Sequence, residues 1–294
     1  MSEIIKQVFA MGDGGLDDKT PVMDIYILAQ SKKTLPKVCF LPTASGDNGG
    51  LVKYFYELYK RYPCEPSHFS VFNPSTKDVK DFLLSKDIIL VGGGQTKSML
   101  GVWKEWGVDK FLREAYENGT ILAGGSAGSV CWFDQCVTDS LPGSLTVMNC
   151  LGILPYSNCP HFGSRDRQEA YFRFVTTDEI KEGYAADDFA AVHFVNGKVE
   201  RCVSSRQYAK VYKLGKDTDG RFYKKKLKTR FLGEKQHQDE LIWSAPCFAY
   251  LNEEEEANSE STETEEILQS QEDKSTPRLP ESTNATDSDP ELQR

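Results

Sequence analysis

Apolar residues in the first half of the chain come in short continuous runs separated by longer amphipathic stretches. Val8-Phe9-Ala10-Met11, Val38-Cys39-Phe40-Leu41 and Ile88-Ile89-Leu90-Val91 are such runs. Runs of this length, apolar throughout rather than alternating, predict strands buried on both faces. Ser67 to Phe72 and Gly119 to Ala123 read as further strands. Between them, Leu51, Val52, Phe55, Leu58 and Tyr59 fall at helical spacing. Val79 to Leu84, Thr96 to Trp106 and Val108 to Asn118 also read as helices, the last stopped by Gly119. Strands alternating with helices predict an α/β protein with a mostly parallel sheet in a three-layer α/β/α arrangement. Ligands of such sheets bind beyond the carboxyl ends of the strands. Three glycine-rich breaks fall there: Gly12 to Gly15, Gly92 to Gly94 and Gly124 to Gly128. They are expected to converge on one rim.

The second half changes period. Ala190 to Val195, Lys198 to Val203 and Tyr208 to Leu214 are short strands separated by turns, one of them Asn196-Gly197, and predict C-terminal antiparallel hairpins. Phe222 to Lys228 is basic and aromatic and reads as one face of an edge hairpin.

Charge is unevenly placed. The formal net charge is −9, but residues 253–294 carry 14 acidic and 3 basic residues. The remainder is close to neutral, which gives no electrostatic reason to expect nucleic acid or a membrane surface. The acidic segment has too few apolar residues to offset its ordering entropy. The expected division is therefore an α/β domain over 1–252 and a disordered acidic tail over 253–294. Eight cysteines are scattered without a C-x-x-C pair. That pattern predicts free thiols in a reducing compartment and no zinc site. The N-terminus lacks a long apolar run, so no signal peptide is expected and a cytoplasmic location is.

Gly124-Gly125-Ser126-Ala127-Gly128 fits G-x-S-x-G, preceded by an apolar run and followed by a stretch able to start a helix. A serine on such a turn is lifted out of the sheet with its hydroxyl exposed. The Ala127 N–H stands at a helix start, where an unpaired donor can meet an oxyanion. Gly93 and Gly94 offer bare backbone for a second donor. A serine hydroxyl needs an adjacent base. Of His68, His161, His193 and His237, only His161 sits just past an apolar stretch, in Asn158-Cys159-Pro160-His161-Phe162.

These pieces resemble the peptidase E family of serine peptidases, with its class I glutamine amidotransferase-like, flavodoxin-like fold. The likeness rests on Val91 to Gly94, Gly124 to Gly128, Asn158 to Phe162, and the run Cys131-Trp132-Phe133 with Val137-Thr138-Asp139-Ser140, and covers about Val8 to Leu214. The resemblance implies Ser126 as nucleophile, His161 as general base and a carboxylate soon after the nucleophile helix, for which Asp139 is the nearest match. Asp134, Asp187 and Asp188 remain open alternatives. It also implies an arginine downstream of the histidine that grips an N-terminal aspartate, placing Arg165 and Arg167 as substrate-binding residues. Gln95 stands where the aspartyl dipeptidases carry asparagine. The implied activity is hydrolysis of short peptides through an acyl-enzyme, with no metal or organic cofactor. A homodimer is open. Two other readings are an esterase-type serine hydrolase, which the short gap from Ser126 to His161 disfavours, and a non-catalytic binding protein on the same scaffold.

Overall fold

A computed structural model describes residues 4–14, 16 and 21–249. These belong to one unit, Met1–Ala249. The expected boundary at 252 and the acidic tail lie outside the described residues.

Five strands form a parallel core. They are β1 (Gln7–Met11), β2 (Lys37–Leu41), β3 (Glu65–His68), β4 (Ile88–Val91) and β5 (Ile121–Gly125), in the spatial order β1-β5-β4-β2-β3. Every residue of β4 and β5 is buried, as is β2 after Lys37. The continuous apolar runs thus do what their pattern predicts, covering both sheet faces.

The connections are α1 (Val22–Leu28), α2 (Gly49–Tyr59), α3 (Val79–Leu84), α4 (Thr96–Trp106) and α5 (Val108–Glu117). Asn48 caps α2, its Oδ1 accepting from the Gly50 and Leu51 N–H groups at 2.9 and 3.1 Å. Gly107, at φ +72°, ends α4 and begins α5. The α4 face buries Met99 and Trp103, and the Trp103 indole donates to Thr43 Oγ1 at 3.1 Å. Gly119 stops the chain after α5 at φ +92°, as its position in the sequence predicts.

The chain then leaves for a second sheet. After α6 (Ala127–Val130) come β6 (Phe133–Thr138), β7 (Thr146–Asn149), β8 (Leu154–Cys159), α7 (Arg165–Thr176) and β9 (Gly183–Ala186). It returns to the first sheet through β10 (Ala190–Val195), antiparallel to β1, and β11 (Lys198–Ser204). The remaining elements are β12 (Val211–Lys216), β13 (Phe222–Lys226), β14 (Thr229–Phe231) and α8 (Lys235–Ser244). The first sheet thus has eight strands, β14-β11-β10-β1-β5-β4-β2-β3, and the second six, β13-β12-β9-β8-β6-β7.

The C-terminal hairpins do form, but they are not a separate layer. The β10–β11 pair extends the large sheet, and β12–β13 ends the small one. The basic segment is indeed an edge, since β13 pairs only with β12. The two sheets meet at an aromatic seam. Phe194 of β10 contacts Phe133, Tyr156 and Tyr184 of the small sheet at centroid distances of 5.7, 6.2 and 5.2 Å.

His193 belongs to this core and not to a site. It stacks on Phe9 at 4.0 Å, receives the Tyr26 hydroxyl at Nδ1 (3.2 Å) and donates from Nε2 to Gln7 Oε1 (2.9 Å). Burial, aided by Arg201, lowers its pKa to about 3. The unfolded chain therefore takes up this proton at a higher pH than the fold does. The neutral-histidine contribution is intact above the unfolded value of about 6.5 and drains away as pH falls toward about 3. Urea denaturation between pH 7 and 4 should show stability falling with a one-proton share, about 1.4 kcal/mol per pH unit. His193→Gln should remove that share; equal slopes in both proteins would refute the assignment.

Candidate active site

The turn after β5 is built by contacts that leave no room for side chains. A Cβ on Gly128 would sit 2.0 Å from the Val91 carbonyl oxygen, and one on Gly124 would sit 2.4 Å from that of Gly128. Only glycine permits this approach of β4, β5 and α6. Ser126, held between them, adopts φ +53° and ψ −116°. Such a conformation costs a non-glycine residue about 1–3 kcal/mol. The surroundings hold it there. The Ser126 N–H donates to the Gly12 carbonyl at 3.2 Å, and the Ser126 carbonyl accepts from Ser129 and Val130 at 3.0 and 3.1 Å.

The hydroxyl so presented meets an imidazole. His161 Nε2 lies 2.9 Å from Ser126 Oγ, and His161 Nδ1 lies 2.7 Å from Asp188 Oδ1. His161 follows β8 and has φ +53°, and Phe189, beside Asp188, has φ +68°. Three of the six non-glycine residues with positive φ among the described residues are thus Ser126, His161 and the neighbour of Asp188. The loop after β1 ties these parts together. Gly12 donates to the Ala190 carbonyl at 2.9 Å, and the Asp13 carbonyl accepts from Phe189 at 2.8 Å. Beside Asp188, Asp187 accepts from the Lys210 backbone N–H at 3.0 Å, and burial holds its carboxyl above the usual range.

Ser126 and His161 open into a cavity of about 240 Å³. Its lining includes Asp13, Asp24, Phe40, Leu51 and Gly92 to Gly94. Each of the three glycine-rich breaks therefore contributes to this rim, through Asp13, Gly92 to Gly94, and Gly124 to Ser126; Gly15 lies outside the described residues. A Cβ on Gly93 would stand 3.3 Å from Ser126 Cβ, so the Gly93 backbone runs directly beside the serine. Gly94, at φ +137°, is pressed against Ala44, where a Cβ would lie 2.2 Å from the carbonyl oxygen. Ala127 occupies the first position of α6, behind the hydroxyl.

Other expected residues are placed elsewhere. Asp139 is not at the imidazole. Its Oδ2 accepts from Arg167 Nη2 at 2.7 Å, and Arg167 Nη1 donates to the Val137 carbonyl at 3.3 Å. The acid beside His161 is Asp188, which arrives from the β9–β10 connection rather than from the segment after α6. Arg167 is buried by its pairing, and Arg165 is 91 % exposed, bonded to Glu169 at 2.7 Å. Neither lines the cavity. Asp134 pairs with Lys181. Of the other histidines, His68 bonds Tyr56 and His237 bonds the Phe231 carbonyl.

Sequence reasoning also passed over Asp13, whose Oδ2 is 4.0 Å from His161 Nδ1. Its place in a glycine-rich strand-end turn was the available signal. Asp13, His161 and Asp188 carry ligand atoms within 4.8 Å of one another and could accept a cation, which would compete for the imidazole.

An α/β sheet with a serine, a histidine and a carboxylate linked in series at its strand ends has the organisation of a hydrolase site. The chain belongs to peptidase family S51, whose family model matches residues 8–202. It is 47% identical over 213 residues to the uncharacterized peptidase YgaJ of Bacillus subtilis, covering 71% of this chain and 92% of that one. It is 28% identical over 135 residues to peptidase E of Haemophilus influenzae, covering 42% of this chain and 62% of that one. A crystal structure of a peptidase from an acI-B1 Actinobacterium superposes with a TM-score of 0.60 at 16% identity, covering 76% and 95% of the two chains; this likeness concerns the fold alone. Among the described residues no helix is long and apolar enough to cross a membrane.

The Asp139–Arg167 pair predicts a structural effect. Asp139→Asn leaves a buried guanidinium with a weaker partner, while the exposed carboxylate end limits the loss. Chemical denaturation should show a destabilisation of about 1–2 kcal/mol. An unchanged midpoint would mean that water replaces the carboxylate fully.

Proposed function

We propose that this chain is a serine peptidase that cleaves short peptides through an acyl-enzyme, with Ser126 as nucleophile, His161 as general base and Asp188 as the acid that orients it. The observation that carries this reading is the series of two hydrogen bonds, 2.9 Å from Oγ to Nε2 and 2.7 Å from Nδ1 to Asp188. In this arrangement Nδ1–H donates to Asp188, which leaves Nε2 free to take the Ser126 proton as Oγ attacks the peptide carbonyl. This reading assigns the Ala127 N–H and the backbone at Gly93 and Gly94 as donors to the oxyanion. The imidazolium then gives its proton to the leaving amine, and water repeats the sequence on the acyl-enzyme.

The cavity favours a small substrate. Its volume of about 240 Å³ falls below the ~300–1,000 Å³ of pockets that hold drug-sized ligands. Its described lining contains two carboxylates, Asp13 and Asp24, and no lysine or arginine. That setting suits the α-ammonium of a peptide whose N-terminal residue enters the cavity. A preference for N-terminal aspartate would need a cation, and Arg165 and Arg167 point into other pairings.

A fluorophosphonate probe should label the wild type and leave Ser126→Ala unlabelled. On a dipeptide panel, Asp188→Asn should lower kcat by about 10²–10⁴, the scale of losing the group that fixes the imidazole tautomer. Asp139→Asn should stay within about threefold of wild type. Full activity in Asp188→Asn, or labelling of Ser126→Ala, would overturn the proposal.

A further inference from the structure

Two free cysteines lie together at the β6–β7 edge of the small sheet, separate from the serine. Cys136 is in β6, opposite Met148 of β7, and Gln135 is opposite Asn149. Cys150 therefore falls one step past the ladder, diagonal to Cys136, and its N–H donates to the Asp134 carbonyl at 2.9 Å. The Cys150 Sγ lies 3.4 Å from the Cys136 Sγ.

The two thiols differ in access. Cys136 is fully buried, whereas Cys150 is partly exposed. Cys150 lines a surface hollow of about 430 Å³ together with Lys110, Arg113, Glu114 and Leu151. Cys150 thus borders the hollow and Cys136 lies behind it. That is the arrangement of an attacking and a resolving thiol. The sulfurs must close from 3.4 Å to the ~2.05 Å of a disulfide. The edge strand β7, which pairs only with β6, is the element free to give that movement.

We propose that Cys150 and Cys136 form a redox-active dithiol, in which Cys150 exchanges with a small-molecule disulfide entering through the hollow and Cys136 resolves the product. The Cys150 thiolate attacks one sulfur of oxidised glutathione, breaking its S–S bond. Cys150 is now joined to one glutathione, and the other leaves as a thiolate that takes up a proton. The Cys136 thiolate then attacks the Cys150 sulfur and displaces the second glutathione. Two cysteine thiols are oxidised to one disulfide, and one glutathione disulfide is reduced to two thiols. The hydrogen bond to Cys136, together with burial, holds the Cys150 thiol well above its ordinary pKa. Little thiolate is present at neutral pH, so exchange should take minutes to hours.

The test uses the full chain incubated with oxidised glutathione, alkylated, and mapped as non-reduced peptides. The expected product is a single crosslink joining the peptides that carry Cys136 and Cys150, reversed by dithiothreitol. Cys136→Ser, and Cys136→Ala should the serine variant fold poorly, should stop at a lasting glutathione adduct on Cys150. Cys150→Ser should give neither crosslink nor adduct at Cys136. Wild type that keeps its native circular dichroism yet forms no crosslink would overturn the proposal. So would a crosslink through Cys131 instead, or a folded Cys136 variant with no adduct on Cys150.

Discussion

The serine site depends on backbone packed closer than any side chain allows. Val91, Gly124 and Gly128 approach one another at distances that a single Cβ would forbid. Because they do, β5 ends in a sharp turn and Ser126 is left in a conformation it would not choose. Hydrogen bonds from Ser129 and Val130 to its carbonyl, and from its own N–H to the Gly12 carbonyl, offset that strain. The position of the hydroxyl is thus set by main-chain geometry and not by its own rotamer preferences. For the nucleophile proposed above, a hydroxyl fixed in this way would need little reorganisation, which is where much of the advantage of a preorganised site arises.

The residues around the hydroxyl come from both sheets. Ser126 ends a strand of the large sheet, and His161 follows a strand of the small one. Asp188 sits on the connection that carries the chain back from β9 to β10. The seam of Phe133, Tyr156, Tyr184 and Phe194 fixes the relation between the sheets. Aromatic pairs of this kind contribute about 0.5–1.5 kcal/mol each beyond their area burial. Part of that stabilisation keeps two hydrogen bonds of 2.9 and 2.7 Å in line.

Much of this was legible in the residues. The parallel core follows from runs such as Ile88 to Val91, because continuous apolar strands tolerate only a covered sheet. Glycine placement, strand-end position and the family resemblance singled out Ser126 and His161, which the fold brings within 2.9 Å of each other. The small sheet was not. The strand Leu154–Cys159 contains Pro155 and three polar residues in sequence, Tyr156, Ser157 and Asn158, so its pattern resembles a loop. Its polar groups are satisfied by tertiary partners: Ser157 bonds Tyr171 at 2.6 Å, and Asn158 donates to Ser129 at 2.8 Å. Without that sheet, chain distance set Asp139 ahead of Asp188, which the sequence left open as an alternative. Asp139 is nearer to the nucleophile along the chain, but β6 carries it toward Arg167. Asp188 becomes the neighbour of His161 only once β9 and β10 are known to lie on either side of the seam. Chain distance carries no such information.

The division of labour between the sheets has a consequence for how the molecule could be taken apart. A fragment ending before β8 would contain the five parallel strands and Ser126 but not His161, the imidazole that bonds its hydroxyl. A fragment beginning after α6 would hold His161 and Asp188 without Ser126. Neither half is a lesser version of the whole, because Ser126, His161 and Asp188 meet only where both sheets have closed on each other.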